Sequence, residues 1–193
     1  MDELTLAAPA AFSSKPAQRP IQTTLEMKPY QMFGSLTAEL AARILDDLHK
    51  EQKDLYRTTM QAAAQSLKVR PVFLERQPRS DRNKRIAKAL GHPDMNLVAS
   101  NAISAWLIKT QQAMLSEFLD SLKIKHDKGV VEDLPPAVDD AALNAAVDNL
   151  LAKYPQEVAT LYLQAFYEMN EVRWPNLALL LRDDIRLQLP MLV

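Results

Sequence analysis

Apolar residues recur at helical spacing along most of the chain after residue 34. Leu40, Ile44, Leu48, Leu55, Thr59, Ala63 and Leu67 fall near one stripe of a 3.6-residue repeat. That stripe predicts a long helix over about 36–67, capped by Ser35 or Thr37. Its polar middle, residues 49–54, is made of good helix formers, so no break is predicted there. Pro71 ends this element, and residues 72–76 have room for a single turn before Pro78. Ser80 is the predicted cap of a short helix that Gly91 closes in the left-handed conformation. Pro93 opens a helix reaching about Leu122, and a loop with Gly129, Pro135 and Pro136 follows. Asp139 caps the next helix, which carries Leu143, Val147, Leu150 and Leu151 on one face. Pro155 and Pro175 begin the last two helices. Strand alternation is confined to residues 130–131 and 189–193. The expected fold is all-α: a multi-helix bundle or a short α-solenoid-like array.

The first 34 residues break this pattern. Pro9, Pro16, Pro20 and Pro29 lie among Ala, Ser, Thr and Gln, and each proline removes an amide donor. An extended or disordered N-terminal arm over 1–34 is therefore expected, ahead of a helical domain over 35–193. Late in the arm come Leu25, Met27, Tyr30, Met32 and Phe33, more apolar surface than an inert linker needs. Met27, Tyr30, Met32 and Phe33 are thus candidate contacts for a partner, or tuck against the chain's own core.

Two stretches match each other 55 residues apart: Ser66-Leu67-Lys68-Val69-Arg70 and Ser121-Leu122-Lys123-Ile124-Lys125. Each follows a long helical pattern and precedes a proline-broken connector. Two duplicated units, about 36–92 and 93–154, would account for this, and so would the general liking of helix ends for Ser, Leu and Lys.

Charge separates the two stretches that follow. Residues 68–88 hold Lys68, Arg70, Arg76, Arg79, Arg82, Lys84, Arg85 and Lys88 against Glu75 and Asp81. These eight cations are candidate interaction residues; a solvated basic face, or one paired with acidic protein, is expected first and nucleic acid second. Phe73, the segment's one aromatic, is expected in the core. Residues 126–148 reverse the sign, with Asp127, Glu132, Asp133, Asp139, Asp140 and Asp148 against Lys128. Opposite charge on corresponding segments suits a head-to-tail contact between copies or halves.

Composition removes several kinds of chemistry. There is no cysteine, so thiol nucleophiles and cysteine-ligated metals are excluded. Gly34, Gly91 and Gly129 are the only glycines and lie dozens of residues apart, so no glycine-rich phosphate cradle can form. The net charge of −1 gives no overall pull toward nucleic acid. No apolar run approaches the roughly 18 residues of a membrane span, and no secretory leader is legible, so a soluble cytoplasmic protein is expected.

Histidine is the remaining catalytic currency, at His49, His92 and His126. The adjacent pair His126-Asp127 resembles that of helical metal-dependent phosphohydrolases, for which His49, His92 and Asp183 would have to supply the other ligands. Here the pair falls in a charged loop, where a plain connector is the simpler expectation. No glutamate has histidine three residues later, as a carboxylate-bridged di-metal bundle would require. The sequence therefore predicts no catalytic residues, metal or cofactor. A non-enzymatic interaction, assembly or accessory protein ranks first, with protein partners or self-association. A nucleic-acid-associated module using 68–88 ranks second, and a metal-dependent hydrolase third.

Overall fold

A computed structural model describes residues 27–189. Ten α-helices lie within them: α1 (Pro29–Gly34), α2 (Ala38–Glu51), α3 (Lys53–Ser66), α4 (Pro71–Glu75), α5 (Arg79–Leu90), α6 (Asn96–Thr110), α7 (Gln112–Ser121), α8 (Asp140–Lys153), α9 (Gln156–Met169) and α10 (Pro175–Asp183). Single 3-10 turns occupy Pro93–Met95 and Ile185–Leu187. No strand occurs among the described residues; an isolated bridge joins Asp127 and Val130. The chain is all-α, as its periodicity predicts.

The core is organised around α9. Its residues 158–166 are all buried, because α1, α6, α8, α10 and the last 3-10 turn enclose it. Phe118, Tyr162, Phe166 and Trp174 pack there in edge-on and tilted contacts with centroids 5.2–5.9 Å apart. Each such side chain taken fully out of water stabilises the fold by roughly 1.5–3 kcal/mol. The two tryptophan N–H groups are satisfied by Asp47 Oδ2 (3.0 Å, from Trp106) and the Pro135 carbonyl (2.8 Å, from Trp174).

Several local expectations need correction. The arm does not stay extended to residue 34. Pro29 stands in the first turn of α1, where its missing amide costs nothing, and Gln31 Oε1 accepts the Lys28 N–H at 2.8 Å. Burial then holds this short helix: Met32 is 0% and Phe33 2% exposed. Lys28 Nζ reaches Glu168 at 2.6 Å, tying the start of α1 to α9. Residues 1–26 of the arm, Leu25 included, lie outside the described residues, as do residues 190–193.

The helix expected over 36–67 is two. Thr37 caps the first, its Oγ1 accepting from Leu40 N, and the helix breaks at Gln52 (φ −142°, ψ 64°). Gln52 Nε2 donates to the Ala105 carbonyl at 3.1 Å, so a tertiary contact with α6 holds the kink against helix propensity. The element expected from Pro93 to Leu122 likewise splits, into a 3-10 turn, α6 and α7. Thr110 Oγ1 donates back to the Trp106 carbonyl at 2.7 Å, a bond that bends helices, one residue before the break at Gln111. Ser80 lies inside α5 and does not cap it; Pro78 takes the cap position. Gly91 has φ −78° and is not left-handed. Close packing against Gly34 is what favours a glycine there, since a Cβ would stand 3.2 Å from the Gly34 Cα.

The matched pentapeptides share a physical device. Lys68 and Lys123 have φ of 56° and 57°, just past the ends of α3 and α7. Val69 N–H reaches back to the Ala64 carbonyl and Ile124 N–H to the Leu119 carbonyl, both at 2.9 Å. This is the Schellman ending, with lysine where glycine is commoner. The helices that follow pack differently: α5 lies on α2 and α3, whereas α8 packs chiefly on α7 and α9.

Candidate interaction surface

The basic segment divides into committed and uncommitted cations. Asp46 on α2 receives Arg79 Nε at 2.8 Å and Asn83 Nδ2 at 3.0 Å. Asn83, 1% exposed, accepts the Tyr56 hydroxyl proton at 2.7 Å, and that hydroxyl accepts from Arg82 Nε at 2.9 Å. Arg79 Nη2 also lies 3.0 Å from His49 Nδ1. Arg79 and Arg82, two of the candidate interaction residues, are thus spent on joining α5 to α2 and α3. Burial of His49 and the neighbouring Arg79, Arg82 and Lys53 hold its imidazole below the ordinary value of 6.5. Burial also raises the Tyr56 phenol, with Arg82 opposing the shift.

Lys68, Arg70, Arg76, Lys84 and Lys88 stand exposed, with no side-chain partner among the described residues. Arg70 and Arg76 line an apolar feature that the sequence placed wrongly. Phe73 is not in the core: it is 45% exposed, and Val72 beside it 44%. Pro71 starts α4 three residues after the left-handed Lys68, and Leu74, fully buried, pins the helix to α3. A five-residue helix fixed through Leu74 has to turn Val72 and Phe73 outward. The Arg85 guanidinium lies 5.5 Å from the Phe73 ring centroid and ties the cations of α5 to this patch. Val69, Arg70, Val72, Phe73 and Arg76 line a groove of about 370 Å³ along α4.

The arm candidates fare differently. Met32 and Phe33 are internal, so no partner reaches them in this fold. Met27 is half-buried against the core, and Tyr30 is half-buried with its amide donating to Asn96 Oδ1 at 3.4 Å. Their apolar character reports docking of α1 onto its own chain.

The acidic segment is also partly spent. Asp139 caps α8 through the Ala142 N–H, Asp140 accepts from Asn176, and Asp148 pairs with Arg186. His126 organises its own loop. Its Nδ1 accepts the Gly129 N–H and its Nε2 meets Asp120 Oδ1, both at 3.1 Å. Both ring nitrogens are thus engaged within the loop's own contacts. Lys128 (φ 51°) and Gly129 (φ 83°) form the two-residue turn that closes the Asp127–Val130 bridge. Among the described residues no three His, Asp or Glu side chains come together as a metal site. None of the described helices is long and apolar enough to cross a membrane.

No protein-family model matches the chain, and neither a curated protein nor a solved structure does.

Proposed function

We propose that the chain is a non-enzymatic interaction or assembly protein that docks a partner on the face formed by α4 and α5. One observation carries this: Val72 and Phe73 are held outward on a pinned helix, beside Arg70 and Arg76, which have no acceptor among the described residues, and with Arg85 over the Phe73 ring. Aromatic residues and arginine are both enriched at protein-protein interfaces relative to the rest of the surface. The arm contributes less than its composition suggests, because Met32 and Phe33 belong to the core. Co-purification from the native source, run in parallel with wild type and Phe73→Ser, tests the proposal. A partner retained by wild type and lost by the variant supports it; equal recovery by both contradicts it.

Nucleic acid is the second reading, favoured by the same exposed ring among cations, since bases stack on aromatics beside a basic groove. It requires affinity that falls steeply with salt and weakens on Arg85→Glu with Lys88→Glu. Arg82 is unsuitable for that test, because reversing its charge would break the Tyr56 network.

A further inference from the structure

Given that α4 docks a partner, the reading on which this rests, we propose that the groove takes an acidic, amphipathic polypeptide segment. Such a segment would place aliphatic or aromatic anchors between Asp or Glu residues. The groove floor is apolar, made by Val69, Val72 and Phe73, and among the described residues its charged lining is Arg70 and Arg76. Both guanidinium groups lack an acceptor among the described residues. A carboxylate meets an arginine fork with two parallel hydrogen bonds, and apolar side chains fill the floor between the forks.

Other occupants fit less well. At about 370 Å³ the groove is near the small end of ligand pockets, roughly 300–1,000 Å³, and its lining holds no convergent set of buried polar groups to orient a small molecule. Successive bases need free aromatic faces. Among the described residues Phe73 is the one aromatic lining the groove, too few to stack successive bases. An anionic membrane would call for a longer amphipathic helix than the five residues of α4. Charge complementarity and an aliphatic floor together select an acidic peptide.

Fluorescence anisotropy with the whole chain tests this. The probe is a labelled peptide alternating Glu with Leu and Phe; its controls are the same peptide with Lys for Glu, and oligothymidylate. The acidic peptide is expected to bind, and the lysine peptide is not. Phe73→Ser, and separately Arg70→Glu with Arg76→Glu, should each weaken binding by about tenfold or more, the scale of a hot-spot residue. Lys109→Glu, on exposed α6 surface, should leave it unchanged. Unaltered unfolding midpoints show that the variants fold. Binding of the acidic peptide that ignores both groove variants, or no binding, overturns the proposal. So does oligothymidylate binding that those variants abolish, or concentration-dependent self-association that they abolish, which would make a second copy the occupant. If a native partner depends on Phe73 while the peptide fails to bind, the docking reading survives and only the occupant's chemistry is refuted.

Discussion

Gly91 and Gly34 meet backbone to backbone: a Cβ built on Gly91 would stand 3.2 Å from the Gly34 Cα. The end of α5 thereby receives the end of α1. Gly91→Ala is expected to cost about 1–3 kcal/mol, because backbone and not a flexible side chain must give way. Gly34→Ala, whose added methyl would stand 3.4 Å from the Gly91 Cα, should cost less. Denaturant unfolding of the two variants checks the order, and a harmless Gly91→Ala would contradict it.

The polar chain from Arg82 through Tyr56 and Asn83 to Asp46 is buried at its middle. Asn83→Ala strands the Tyr56 hydroxyl and one Asp46 contact, so a loss of about 2–3 kcal/mol is expected. Arg79→Ala removes an ion pair that is open to water and should cost less than about 1 kcal/mol. Equal losses in the two variants would show that the network is not the joint between α2, α3 and α5.

His49 gives stability a pH dependence of definite sign. Its folded value lies below 6.5, so on acidification the unfolded chain takes up the proton first. Stability therefore falls as pH drops below about 6.5, until the folded imidazole also titrates; above that pH this group contributes no slope. His49→Gln keeps an acceptor for Arg79 and should flatten that part of the profile in urea titrations at a series of pH values. An unchanged slope would assign it to other groups.

Lys68 and Lys123 occupy the left-handed position of the same helix ending. Replacing either with glycine should stabilise the chain by about 1 kcal/mol, since a side chain is disfavoured there by roughly that amount. Destabilisation in both would mean that the two lysines do more than end helices.

The hydrophobic repeat made most of this architecture legible, because α2, α5, α8 and α10 each bury a stripe that sequence spacing displays. What it concealed was decided by contacts distant in sequence. The kink at Gln52 depends on Ala105, and the helix at Pro29–Gly34 depends on a pocket that receives Met32 and Phe33. The candidate surface was half visible. A cluster of cations can be counted, but which of them the fold consumes depends on Asp46 and Tyr56, on helices that precede them. Phe73 was misplaced because an aromatic in a short apolar run reads as core. Only the burial of its neighbour Leu74 shows which side of α4 faces inward.

The central claim is that Phe73 faces outward to bind and not to stabilise. The most direct measurement is the recovery of a co-purified partner by Phe73→Ser relative to wild type, with the unfolding free energies of both proteins in hand. A loss of the partner by about tenfold or more, with stability lowered by no more than about 1.5 kcal/mol, is predicted. Full recovery of the partner, or a loss of several kcal/mol of stability, would contradict it.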